Sequence, residues 1–307
     1  MSVVLSAGRL RALAVLLSVF FGVQEVHSRG FTLPEIPDSL TAPEARAEYL
    51  CLHFWDNFDF LDTALVAQPN ITEQAFVDFL SVLPYAVDRS APMDTMLRRA
   101  SVEPEMFAHF VSLGEKYLAG RYSPMRDEDL YVVMLGSIAC GNAFPEGERA
   151  RARFLREMAL KNRPGEIAAD FEYLCRDGRK GSLYGIDAEL LIVYFNDPTC
   201  GECRSFGEEL AALPDLRPLL DGGRLKILSV CVSGSFDSWL RGKAAPEGWI
   251  DAFDEGQTIY SGALYELRSL PLLYLLSSDK RVLLKDASLE EIASQLSSTS
   301  TAMYSDR

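Results

Sequence analysis

The sequence predicts two folded domains of different class, an all-α helical domain over residues 43–162 followed by an α/β domain over residues 163–297. Three observations carry this reading. Between 43 and 162 the apolar residues recur at helical spacing, and Pro84, Pro92, Pro104, Pro124 and Pro145 punctuate the runs. Around Arg163 the pattern changes to short runs bounded by turn residues. Finally, the apolar run Leu190 to Phe195 has the length and the β-branched and aromatic content of a strand buried on both faces, and it leads into Cys200-Gly-Glu-Cys203 and then into helical spacing at Phe206, Leu210 and Leu213. A chain of 307 residues, 48% hydrophobic and 24% charged, has material for two cores.

The start of the chain sets Arg9 and Arg11 before an apolar run from Ala12 to Val23, with Val26 and Ser28 as small residues ahead of a cut, so residues 1–28 read as a cleaved secretory signal. The run is short for a membrane span, and an uncleaved anchor is the alternative; no cysteine stands at the cut to take a lipid. Residues 29–42, with Pro34 and Pro37, read as an extended lead-in. Helical patterns follow at Ala45 to Leu65, at Phe76 to Leu83 behind an N-cap pair of Asn70 and Glu73, and at Met93 to Ala100, Glu105 to Leu118, Glu128 to Cys140 and Gly147 to Asn162. In the second domain Asp170 to Leu174 and a return after Asp177-Gly178 predict a hairpin, Leu225 to Val232 a second buried strand, and Leu272 to Leu276 a third. Gly234 to Leu267 reads as short helical pieces. Val282 to Leu284 is a further strand, Ser288 with Glu291 a capping box that opens a helix to about Leu296, and 298–307 a disordered tail.

The formal net charge of −14 disfavours nucleic acid and anionic membrane surfaces as partners, which require a basic footprint. No stable membrane insertion is expected once the signal is removed. Of six cysteines, Cys51, Cys140, Cys175 and Cys231 lie outside the motif; Cys51, Cys140 and Cys231 sit in apolar patterns as small buried hydrophobes. His53 and His109 lie on helical patterns as core or rim residues, and Phe54, Trp55, Phe58 and Phe60 read as core.

The chemistry concentrates in the cysteine pair. A helix N-terminus offers unpaired N–H groups and the positive end of the helix dipole, which favour a thiolate over a thiol. Two intervening residues on the first turn bring the second sulfur within bonding reach of the first. Cys200 is therefore the expected attacking nucleophile and Cys203 the resolving thiol, together a redox-active disulfide. Half a zinc site is the competing reading, but there is no second CxxC and His27, His53 and His109 are all remote in sequence, so no metal is expected. A structural short-loop disulfide is the other alternative, and so small a ring closes little chain entropy.

Strand, CxxC-bearing helix, strand, insertion, proline-led strand, hairpin and helix is an order that resembles the thioredoxin-like fold. PGEIAADF…DGRKGSL resembles the leading segment of the exported branch that includes the cytochrome-maturation thioredoxins and the AhpC/TSA group, CGEC its active site, and Leu270-Pro271 its cis-proline loop. The helical part is similar to an uncharacterised N-terminal domain attached to such modules in some Gram-negative bacteria. The resemblance implies a periplasmic thiol–disulfide oxidoreductase without a bound cofactor, whose partners are protein thiols and disulfides and a redox partner protein. Thr199, Leu270 and Pro271 are then the substrate-binding residues. Tyr194 stands where such proteins often carry a buried acid, and Phe206 where the maturation group often has glutamate, which leaves Glu202 and Glu208 as candidates for a proton relay. Asp197 occupies the position of the peroxidase threonine, which disfavours a thiol peroxidase. A binding or scaffold protein acting through its helical domain is the alternative from another class.

Overall fold

The computed structural model describes residues 31–305, so the expected signal at 1–28 lies outside the described residues. The chain forms two compact units that part at Pro145 and Glu146. The first holds helices α1 (Pro43–His53), α2 (Thr72–Val82), α3 (Ser90–Ala100), α4 (Pro104–Gly114) and α5 (Glu128–Cys140). Its core is aromatic. Trp55, Phe58, Phe60, Phe79 and Phe110 meet largely edge to face, with Trp55 and Phe110 centroids 5.1 Å apart at 89°, and Phe31 of the lead-in closes over Phe54 and Trp55. Such pairs add about 0.5–1.5 kcal/mol each beyond the area they bury. The helices supply the rest by spacing: Phe76, Phe79 and Leu80 on α2, Met93, Met96 and Leu97 on α3.

Three local expectations are corrected in this unit. Ala45 to Leu65 is not one helical stretch, because α1 ends at His53 and turns follow up to a short 3₁₀ segment, Thr63–Ala67, capped by the Asp62 carboxylate at 3.1 Å from Ala64 N. Asn70 and Glu73 do not cap α2: Ile71 takes the cap position without a side-chain bond, and the Glu73 carboxylate accepts from Lys116 and Tyr117 instead, which holds it below the usual carboxylate range. Cys140 is exposed, whereas Cys51 is buried, donates to the Val82 carbonyl at 3.3 Å, and is pushed up to about 12 by burial and then by the charge of Glu48. His53 bonds Asp56 at 2.7 Å and stacks on Tyr49; His109 meets the Thr72 hydroxyl at 3.1 Å.

The second unit opens with helix α6 (Glu146–Ala159), sixteen or so residues ahead of the boundary expected near 162. Side chains of the sheet domain explain why its end belongs there. Lys285 Nζ donates to the carbonyls of Ala159 (2.6 Å) and Lys161 (2.9 Å), and the Asn162 amide bridges Leu264 O and Ala169 N, both at 2.8 Å. Seven strands then form one mixed sheet: β1 (Glu172–Cys175), β2 (Lys180–Ser182), β3 (Leu190–Asn196), β4 (Leu225–Cys231), β5 (Ile250–Phe253), β6 (Leu272–Ser277) and β7 (Val282–Lys285), in the order β2-β1-β5-β4-β3-β6-β7. The strand β5, absent from the sequence reading, pairs parallel with β4 and antiparallel with β1. It is four residues long, and its Ile-Asp-Ala-Phe has no sustained apolar run to announce it.

Central in the sheet, β3 runs parallel to β4 and antiparallel to β6. Six of its seven residues are buried, because alternate side chains enter two different cores. Val193 and Phe195 join Leu228, Val230 and Tyr274 on one face. On the other, Ile192 and Tyr194 meet Leu210 of α7 (Gly201–Ala211), Leu219 of α8 (Leu216–Asp221), and Ile292 and Leu296 of α11 (Leu289–Ser305). The small helices α9 (Phe236–Arg241) and α10 (Thr258–Ser261) flank β5 in sequence. The last helix continues to Ser305, past Leu296, where a disordered tail over 298–307 was expected.

Candidate active site

The C-terminal end of β3 delivers the chain to the cysteines through a turn that Asp197 shapes. Its Oδ1 accepts the N–H and the hydroxyl of Thr199, each at 2.7 Å, while its carbonyl accepts Cys200 N at 3.0 Å. Burial pushes the Asp197 carboxyl up, but the hydrogen bonds from Thr199 and Ser233 outweigh it and leave the group below its ordinary range. Cys200 emerges in extended conformation (φ −78°, ψ 119°) as the N-cap of α7, and its sulfur accepts the Cys203 N–H at 3.2 Å, one of the orphan donors of the first turn.

The two sulfurs occupy unlike surroundings. Cys200 is half-buried, whereas Cys203 is 3% exposed and its thiol is pushed up to about 12, by burial first and by its hydrogen bond to Cys200 second, against an opposing backbone N–H of Asp197. One sulfur is offered to an incoming group and the other waits beneath it as a thiol. Leu270 and Pro271 are joined by a cis peptide bond. With Phe195 opposite Leu272 in the β3–β6 register, this proline falls at the sheet end where the motif begins. Leu270 is half-buried against the core, and Thr199 is exposed with its hydroxyl committed to Asp197.

Beside Cys203 opens a cleft of about 430 Å³ between α7 and the segment 239–251. Its floor is polar. The buried Tyr194 hydroxyl donates to the Cys203 carbonyl, and the Asn196 amide donates to Ser229 Oγ (2.9 Å) and the Val230 carbonyl (3.2 Å). Gly207 leaves room for the Tyr194 ring, whose hydroxyl would stand 3.4 Å from a Cβ at that position. Of the two glutamates expected as relays, Glu208 lines this cleft with Cys203, while Glu202 is exposed on the first turn of α7 and does not line it.

The far wall comes from residues that the sequence did not single out together. Arg176, at the end of β1, pairs through Nε with Asp251 of β5 and donates to the carbonyls of Leu240 (2.8 Å), Trp239 (3.1 Å) and Lys243 (3.2 Å), its guanidinium 4.6 Å above the Trp239 ring. Trp239, Lys243 and Trp249 face the cleft from that wall. No motif joins a hairpin arginine to an aspartate 75 residues on, so only the fold could reveal the clamp. Cys231 is buried against Trp239 and Phe253 and pushed up to about 11, chiefly by burial. Among the described residues no cluster of three or more His, Cys, Asp or Glu side chains could hold a metal ion, and no helix is long and apolar enough to cross a membrane.

A family model described as a domain of unknown function, DUF5106, matches residues 18–162. Among solved structures, a thioredoxin-like protein from Bacteroides caccae is 36% identical, with 89% of this chain and 99% of that one covered at a TM-score of 0.73. The C-terminal domain of an uncharacterised protein from Bacteroides fragilis is 35% identical over 45% of this chain and 99% of its own (TM-score 0.44), and a conserved protein of unknown function from the same species is 30% identical over 44% and 98% (TM-score 0.41). No curated protein matches the chain.

Proposed function

Since the chain belongs to the thioredoxin-like proteins, we propose that it is an exported thiol–disulfide oxidoreductase that exchanges disulfides with protein substrates through Cys200 and Cys203. The observation that carries the reading is the unequal pair: a half-buried sulfur at the N-cap of α7 and a buried thiol one turn on, within hydrogen-bond reach of it. Cys200 attacks a substrate disulfide and one substrate sulfur leaves as a thiolate. Cys203 then attacks Cys200 Sγ in the mixed disulfide, and the second substrate sulfur departs as the Cys200–Cys203 bond forms. The substrate gains two electrons and the protein loses them. A redox partner protein restores the dithiol, and the same steps reversed oxidise a substrate dithiol. Sulfur carries both electrons, so the cycle calls for no bound cofactor.

Pro271, Leu270 and Thr199 are the proposed rim along which substrate backbone lies, which the β3–β6 register supports. Export to the periplasm is proposed from the sequence of residues 1–28. The test is a redox titration of residues 29–307 against glutathione and dithiothreitol mixtures of defined ratio. A two-electron transition that disappears in Cys200→Ser is expected; a chain that shows no transition against either couple does not exchange disulfides.

A further inference from the structure

Closing the disulfide requires Cys203 to give up its proton, and in this fold the thiol is buried and held well above neutrality. The strand beneath it offers a tyrosine where an acid would serve, and Phe206 stacks on that tyrosine at 6.1 Å. Solvent reaches the neighbourhood through the cleft. Tyr194, Asn196 and Ser229 give its floor the polar partners that water needs, and about 430 Å³ holds several waters.

Five charged side chains face this space: Asp197 from the turn after β3, Arg204 and Glu208 from α7, Lys243 from the loop after α9, and Asp251 from β5. Two of the three carboxylates are committed to structure. Asp251 is paired with Arg176 and accepts the Ala245 N–H at 3.0 Å, and Asp197 holds its own turn through Thr199 and Ser233. Glu208 is met by Lys243 at 3.3 Å, with 62% and 80% of the two side chains exposed, a loose contact that exchanges readily with water.

Resting on the disulfide-exchange reading, we propose that Glu208, acting through water held in the cleft, accepts the Cys203 proton as the mixed disulfide is resolved and returns it when the Cys200–Cys203 bond is reduced. The proton leaves Cys203 Sγ for the carboxylate, the resulting thiolate attacks Cys200 Sγ, and the bond from Cys200 to the substrate sulfur breaks with its electron pair going to that sulfur. Glu208 then loses the proton to bulk solvent at the mouth. Glu208 sits five residues past Cys203 on the same helix, so its position is fixed by α7 and not by a loop.

The test is stopped-flow reduction of 5,5′-dithiobis(2-nitrobenzoate) by the reduced full chain carrying Cys140→Ser and Cys175→Ser, which removes the two other accessible thiols, so that attack by Cys200 releases one chromophore and resolution by Cys203 the second; this chain is the parent for the variants below. Glu208→Gln is expected to slow the second phase by about 10²-fold near neutral pH, the lower range for a positioned acid–base group, with the first phase changed less than about twofold. The residual second phase should climb tenfold per pH unit as hydroxide takes over, where the parent flattens. Glu208→Asp should restore part of the rate, and Glu209→Gln, an exposed carboxylate on the same helix that does not line the cleft, should leave both phases as they are. An unaltered second phase in Glu208→Gln, or both phases slowed equally, overturns the relay while leaving exchange intact. Absence of the first phase in the parent chain overturns exchange and the relay with it.

Discussion

Replacing Arg176 by Ala removes the clamp that holds the outer wall of the cleft, and its cost follows from the contacts. The Arg176 and Asp251 side chains are 22% and 15% exposed, so the pair is mostly withdrawn from water. Breaking a fully buried pair by deleting one partner costs about 3–5 kcal/mol, mainly because the surviving charge is stranded. The carbonyls of Trp239, Leu240 and Lys243 lose a charged donor as well, and the ring of Trp239 its cation. Residual exposure discounts the sum to about 3 kcal/mol, or roughly 6–12 °C in Tm for a unit of this size. The assay is urea and thermal unfolding of the parent, Arg176→Ala, Asp251→Ala and the double variant, followed by tryptophan fluorescence. Removing both partners should cost at least about 1 kcal/mol less than the sum of the single changes, since no carboxylate is then stranded. A loss under about 1 kcal/mol for Arg176→Ala, or strict additivity around the cycle, would refute the assignment of Asp251 as a charge that depends on this arginine.

Two further outcomes are expected. Burial pushes Cys51 and Cys203 up to about 12 and Cys231 up to about 11. A raised folded pKa stabilises below the unfolded value near 9 and is lost as pH climbs toward the folded one. The unfolding free energy of the reduced chain, read from urea titrations, should therefore fall between pH 9 and 11, by up to about 1.4 kcal/mol per unit for each thiol, and Cys51→Ala should remove its share; a free energy flat across that window contradicts the burial assigned. Gly207→Ala should stabilise the chain by about 0.5–1 kcal/mol, because the helix interior gains propensity and the new Cβ meets the Tyr194 ring at ordinary contact distances of 3.4 to 3.7 Å; destabilisation on thermal melting would mean that the ring cannot accommodate it.

What the sequence disclosed was what short-range chemistry encodes. Leu190 to Phe195 announced the central strand because both of its faces are apolar, the cysteines announced the start of a helix, and Leu270-Pro271 the turn beside it. Asn70 and Glu73 misled because the capping pattern is local while the partners of Glu73 are not: Lys116 and Tyr117 lie more than forty residues on. The same distance in sequence hid β5, which is a strand because β4 and β1 flank it, and the Arg176 clamp, which joins the turn after β1 to β5. Glu208 and Glu202 were equal candidates on spacing alone. The cleft separates them, and a cleft is a property of packed side chains.

Six free thiols share this chain, and their burial sorts them by speed. Relative to an ordinary thiol near 9, a group held near 12 presents roughly a thousandfold less thiolate at neutral pH. Cys51 is thus chemically muted as well as sterically covered, and Cys231 is muted to a lesser degree. Such insulation exists only in the folded chain. While the chain is still unfolded all six sulfurs compete on similar terms, so in an oxidising milieu the order in which the cores close decides which sulfurs remain available to one another, and burial of Cys51 withdraws it from that competition.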